Sequence, residues 1–180
     1  RTLHSVITLV EDHARGFAPN FTRTGFVTHA PVTLITNGKY ADCLVSPRSA
    51  KEYNVPLNSG SETPRALDMS PGTLPRADVL SKLDTGLYIN NLWYCNFSDH
   101  DDCRITGMTR FACFWVQGGV ITAPVNVMRF DDSIYRMLGT QLLALTAERD
   151  FLFDTSTYQQ RSTRSVQLPG ALIDDFTLTL

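Results

Sequence analysis

Val32-Thr33-Leu34-Ile35-Thr36 and Tyr40-Ala41-Asp42-Cys43-Leu44-Val45 stand on either side of Asn37-Gly38. Both flanking runs are rich in β-branched and apolar residues. Asn-Gly tolerates the positive φ angles of a type I′ turn, so the stretch predicts a tight antiparallel hairpin. Outward from it the same grammar recurs. Phe111-Ala112-Cys113-Phe114-Trp115-Val116 and Val120-Ile121-Thr122-Ala123 flank Gly118-Gly119, which predicts a second hairpin. Gly86 to Tyr94 alternates as one long half-buried strand, and Ala171 to Leu180 finishes in strict alternation as a last strand.

Helix is confined to short places. Ser46 precedes Pro47-Arg48-Ser49-Ala50-Lys51-Glu52-Tyr53, a cap residue followed by Pro at the first helical position. Asp78 to Leu83 has apolar residues at helical spacing. Asp131-Asp132-Ser133 reads as the acidic opening of a helix through Leu138 that stops at Gly139. Between Val55 and Pro75 lies a Pro-, Ser-, Gly- and Asn-rich stretch, long for a connection inside a compact domain and therefore functional or mobile. The predicted class is α+β and β-rich: an antiparallel sheet or partly closed barrel built from hairpins, with two or three short helices.

The chain has 180 residues, with 16 Lys and Arg against 18 Asp and Glu, a net charge of −2. A hydrophobic share of 43% with 19% charged residues excludes a disordered chain. The charge balance offers no general attraction for nucleic acid or an anionic membrane. No apolar run reaches the length of a membrane-spanning helix. Four cysteines, Cys43, Cys95, Cys103 and Cys113, form no CxxC pair and are read as free thiols. Cys43 and Cys113 lie in strand patterns, where a buried thiol is inert.

Side-chain chemistry assembles no complete active site. Cys95, Asp99, His100, Asp101, Asp102 and Cys103 form the densest set of metal-ligating types, but no second ligand pair closes it, and it reads as a solvated acidic turn. The histidines His4, His13, His29 and His100 are scattered, and neither a Gly-x-Ser-x-Gly elbow nor a phosphate loop occurs. Two segments can meet an anionic group: Thr106-Gly107-Met108-Thr109-Arg110, and the locally basic Gln159-Gln160-Arg161-Ser162-Thr163-Arg164.

The order of these segments carries a resemblance. Gly25-Phe26-Val27-Thr28 is followed by the Asn37-Gly38 hairpin and the Ser49-Ala50 helix. Asn58-Ser59-Gly60-Ser61 with Pro64-Arg65 comes next, then Gly86-Leu87-Tyr88-Ile89 and Leu92-Trp93. Thr106 to Arg110, Gly118-Gly119-Val120-Ile121, Pro124-Val125 and Met128-Arg129-Phe130 complete the series. From about Gly25 to the end the chain resembles the C-terminal region of the TldD/PmbA metallopeptidase family, on its TldD-related branch.

That resemblance implies a cytoplasmic protein of bacteria or archaea, considerably longer than this chain, that acts on unfolded peptides. Members pair as homodimers or heterodimers of TldD-type and PmbA-type subunits, and older naming calls them modulators of DNA gyrase. It also implies zinc in the full-length parent, held by an upstream His-Glu-x3-His and by a Cys near the C-terminus. This chain has no His-Glu pair, and the place of that Cys, near Thr157 or Tyr158, holds none. The chain is therefore expected to be one C-terminal domain over residues 1–180, with 1–24 the edge of a preceding region, carrying no metal and not catalytic alone. An extended peptide would add to an exposed strand edge, with Arg65, Thr109, Arg110, Arg161 and Arg164 as substrate-binding candidates that orient a carbonyl or carboxylate. The alternative is a metal-free PmbA-like partner or scaffold subunit. Direct nucleic-acid binding and membrane association are not expected.

Overall fold

The structure, a computed structural model, describes residues 1–28 and 30–179. His29 and Leu180, the end of the expected last strand, lie outside the described residues. In chain order the strands and helices are β1 (Leu9–Glu11), β2 (Val32–Thr36), β3 (Lys39–Tyr40), α1 (Pro47–Tyr53), β4 (Ala66–Met69), α2 (Val79–Leu83), β5 (Gly86–Tyr88), β6 (Asn91–Asp99), β7 (Arg104–Arg110), β8 (Phe114–Gln117), β9 (Val120–Pro124), β10 (Arg129–Ser133), β11 (Leu142–Phe153), β12 (Ser165–Ile173) and β13 (Leu178–Thr179). The chain divides into two compact units, one of Ser5–Pro71 with Arg149–Gly170 and one of Arg1–His4, Gly72–Glu148 and Ala171–Leu180. The first is called here the sheet unit and the second the hairpin unit. The fold is β-rich α+β with antiparallel sheets, and among the described residues no barrel closes.

In the sheet unit the strand order is β11-β12-β4-β1-β2-β3. Asn37 and Gly38 both take positive φ, 50° and 75°, and the register sets Thr36 opposite Lys39 and Ile35 opposite Tyr40. The expected I′ turn is present, but the strand after it is only Lys39–Tyr40, and Ala41 to Val45 forms no strand. β1 pairs antiparallel with β2 and with β4, while β4 pairs parallel with β12, Ala66 facing Ser165. Ile7, Val32 and Ala66 are buried. Glu11 is 2% exposed, a cost met by hydrogen bonds: its carboxylate accepts the N–H groups of Arg65 at 2.8 Å and Ala66 at 3.1 Å. His13 Nε2 lies 3.1 Å from the same carboxylate. Helix α1 forms as its sequence dictates, with the Ser46 hydroxyl accepting the Ser49 N–H and Asn54 ending it at φ 53°.

In the hairpin unit a four-stranded sheet runs β13-β10-β7-β6 and a three-stranded one β5-β8-β9. Gly118 and Gly119 take φ 58° and 74° at the second expected hairpin. Phe130, fully buried, meets Phe176 at 5.4 Å between ring centroids. Asp132 is 1% exposed and is gripped by Arg136, Nε to Oδ1 at 2.7 Å and Nη2 to Oδ2 at 2.6 Å.

Other expectations are corrected. Gly86 to Tyr94 is not one strand: β5 pairs with β8 and β6 with β7, so the chain changes sheet at Ile89-Asn90. Asp131-Asp132-Ser133 lies in β10 and opens no helix; a short helical stretch starts at Ile134 and includes a π turn over Arg136–Thr140. The Val55–Pro75 stretch contains β4, which is paired on both sides. The terminal alternation breaks at Asp175, φ 51°, which Arg136 holds at 3.1 Å. Of the two thiols expected to be buried, Cys113 is and Cys43 is exposed.

Candidate functional site

Three of the five sequence-derived site residues fall in the sheet unit, around the loop that joins β11 to β12. Arg161 and Arg164 lie on that loop and are exposed. Arg161 donates from Nη1 to the Thr155 carbonyl at 3.2 Å, and its guanidinium carbon stands 5.6 Å from the Phe153 ring centroid. Arg164 closes the loop with its backbone, its carbonyl accepting the Asp154 N–H at 2.9 Å. Arg65, just before β4, is half-buried and donates from Nη2 to Thr163 Oγ1 at 3.0 Å, so it braces the loop from beneath. The carboxylate among them, Asp154, is held below the usual range by the Ser156 N–H at 2.9 Å, then by the Ser162 hydroxyl, with Arg164 and Arg161 adding to both.

Beside these cations lies an apolar surface. β11 is the last strand of its sheet, so its outer edge between Arg149 and Phe153 has no strand neighbour among the described strands. Phe151 and Phe153, two apart on β11, point the same way. Phe17 crosses to meet both, at 5.1 Å and 78° with Phe151 and 5.8 Å and 86° with Phe153. All three rings stay exposed, Phe17 at 61%, Phe151 at 40% and Phe153 at 49%, which an interior cluster of this kind would not be. The shelf is anchored. The Phe17 N–H donates to the buried Ser165 hydroxyl at 3.2 Å, and a Cβ on Gly16 would lie 2.6 Å from both Ala66 Cβ and Ser165 Oγ. Buried Asp68 draws Arg149 to 2.6 Å and Arg15 to 3.5 Å at the other end.

Thr109 and Arg110 belong to the hairpin unit. Thr109 is fully buried, and its hydroxyl accepts the Met128 N–H at 3.0 Å. Arg110 is exposed and stacks over Trp93 at 5.2 Å and Phe111 at 5.6 Å. It stands at the Asn91 end of β6, an edge strand in which every residue from Leu92 to Asp99 is exposed.

The acidic turn after β6 binds itself. Asp99 Oδ1 accepts the N–H groups of Asp101 at 2.8 Å and Asp102 at 3.1 Å, and His100 stacks on Phe97. Among the described residues no group of three or more His, Cys, Asp or Glu side chains could hold a metal ion. The residues present therefore do not fit a zinc site.

The aromatic shelf, the Glu11–His13 contact and the Asp68–Arg149 ion pair were not singled out from the sequence. One signal for the shelf was available in Phe151-Leu152-Phe153, two phenylalanines at strand spacing beside the basic loop. Phe17 could not have been assigned to it, since only the fold carries it there.

The fold is that of a domain found within larger proteins of known structure. TldE from Thermococcus kodakarensis matches with a TM-score of 0.77 at 17% identity, over 99% of this chain and 40% of that one. Two structures titled as modulators of DNA gyrase also match. The one from Thermotoga maritima has a TM-score of 0.72 at 14% identity, over 98% of this chain and 40% of that one. The one from Bacteroides thetaiotaomicron has 0.70 at 16%, over 98% and 37%. At such identities the likeness is one of fold. Residues 2–180 match the family described as PmbA/TldA metallopeptidase C-terminal domain, and the chain belongs to that family. No curated protein matches it. The chain spans about 40% of the length of the first two solved structures.

Proposed function

We propose that this chain is the peptide-holding C-terminal domain of a zinc-dependent, cytoplasmic peptidase that acts on unfolded peptides. An extended peptide adds to the outer edge of β11 through main-chain hydrogen bonds, a mode that tolerates many sequences. Arg161 and Arg164 take a peptide carbonyl or carboxylate. The observation that carries this reading is the placement of Arg65, Arg161 and Arg164 at the free end of an edge strand lined by exposed aromatic rings. Zinc would be held by the rest of the full-length protein and would supply the activated water there. This chain's residues hold and orient the peptide. A second TldD/PmbA-type subunit completes the assembly.

The test is binding of a fluorescein-labelled unfolded peptide to the full-length protein and to its Arg161→Ala and Arg110→Ala variants. Arg161→Ala weakens binding by roughly tenfold, as the loss of a charge-assisted hydrogen bond does. An unchanged affinity in Arg161→Ala with a loss in Arg110→Ala moves the site to the Trp93 surface of the hairpin unit.

One observation favours a second reading, a metal-free partner or scaffold subunit. The loop over Asp154 to Arg164 offers no thiol or imidazole where the family's zinc-binding subunit carries its Cys, and Thr157 and Tyr158 stand there instead. Peptide binding without cleavage by the full-length protein, in any metal, would establish it.

A further inference from the structure

We propose that the shelf of Phe17, Phe151 and Phe153 reads the side chain of the bound peptide, and that its ligand is a peptide whose C-terminal residue is aromatic with a free carboxylate. This rests on the peptide-holding role given above and adds what the site selects.

The geometry provides two recognition elements side by side, an aromatic corner and a guanidinium. Phe17 stands perpendicular to Phe151 and to Phe153, so the three rings make a corner with ring surface left open on each. A fourth aromatic ring completes such a corner by the edge-to-face contacts that aromatic pairs favour. The Arg161 guanidinium lies over the Phe153 ring, 5.6 Å from its centroid, so a carboxylate that it takes lies beside the corner. Among the described residues Arg161 donates to an oxygen from Nη1, to the Thr155 carbonyl, so the rest of its fork can still donate to a carboxylate. Charge agrees: the Arg161 and Arg164 guanidinium groups both act on the Asp154 carboxylate, which already accepts the Ser156 N–H. The corner is also built, since Phe17 is fixed by a glycine packed against Ala66 and by the buried Ser165 hydroxyl. A shelf placed by chance would have no such anchor.

The experiment measures dissociation constants of four labelled peptides of one sequence, ending in Phe or Ala, each with a free carboxylate or a C-terminal amide. The proteins are the full-length chain, its Phe17→Ala/Phe151→Ala variant and its Arg161→Gln variant. These side chains are exposed, so the variants fold, and circular dichroism checks it. Phe in place of Ala tightens binding by about tenfold, as aromatic pairing does, and the double variant erases that preference. Amidation weakens the Phe peptide by a similar factor in the parent and not in Arg161→Gln. Equal binding of Phe and Ala peptides, or a preference that survives in the double variant, overturns the proposal while leaving peptide binding intact. Absence of binding by all four peptides overturns the peptide-holding role and this inference with it.

Discussion

Asp132 is buried in the hairpin unit and accepts hydrogen bonds from three residues, Arg136, Thr177 and Ser133. Burial pushes its carboxyl up, but hydrogen bonds from Arg136, Thr177 and Ser133 outweigh that and hold it below the ordinary carboxylate range. A carboxyl lowered on folding stabilises the fold above its unfolded pKa, and that contribution is lost as the pH falls through the folded value. Urea denaturation of the chain should therefore show this contribution present at neutral pH and lost in acid, as the pH falls past the unfolded carboxyl value and through the lower folded one. Asp132→Asn should be destabilised at neutral pH by about 3 kcal/mol, because Arg136 is left without its buried partner, and should lose part of that acid dependence. His13 is the sheet unit's counterpart. Nε2 faces Glu11 at 3.1 Å and Nδ1 the Pro19 carbonyl at 3.1 Å, so both ring nitrogens stand against acceptors. His13→Phe should lower the melting temperature by several degrees in a thermal scan, through the buried Glu11 that loses a donor.

At the level of elements, the turn over Gly16 decides where Phe17 goes. Gly16→Ala brings a methyl against Ala66 and Ser165 and should cost about 1–3 kcal/mol by denaturant melt, with a weaker preference for aromatic peptides as the shelf shifts. A melt unchanged by this substitution would mean that the strap is looser than its hydrogen bond to Ser165 indicates. Elements governed by local chemistry were legible in the sequence. Both I′ hairpins and α1 follow from Asn37-Gly38, Gly118-Gly119 and Ser46-Pro47, whose φ preferences and capping oxygens act within a few residues. Elements governed by partners were not. β4 gains its strand character from β1 and β12, both distant in sequence, and the break between β5 and β6 reflects which sheet each half joins. The site divides in the same way: the basic loop was visible as composition, whereas the rings beside it are gathered by the sheet.

For the molecule as a whole, two measurements follow from its charge and its donors. With a net charge of −2 the chain has no electrostatic footing on nucleic acid, and gel-shift titration with duplex DNA at physiological salt should give no complex. Elemental mass spectrometry should find about one zinc in the full-length parent and none in this chain, given that its described residues bring no three donors together. Zinc retained by the isolated chain would place ligands where none converge in the fold described. None of its helices is long and apolar enough to cross a membrane among the described residues.

The Asn37-Gly38 turn has a bearing on chemical ageing. Asn-Gly is the dipeptide whose side-chain amide is most readily attacked by the next backbone nitrogen, closing a succinimide ring and releasing ammonia. Here that nitrogen is occupied, since the Gly38 N–H donates to the Ile7 carbonyl at 2.8 Å. The bond that seats the turn on the segment leading into β1 thus also keeps the nucleophile sheathed. A loosened Ile7 segment would convert the most recognisable feature of the sequence into the first place where the stored protein turns from asparagine to aspartate and isoaspartate.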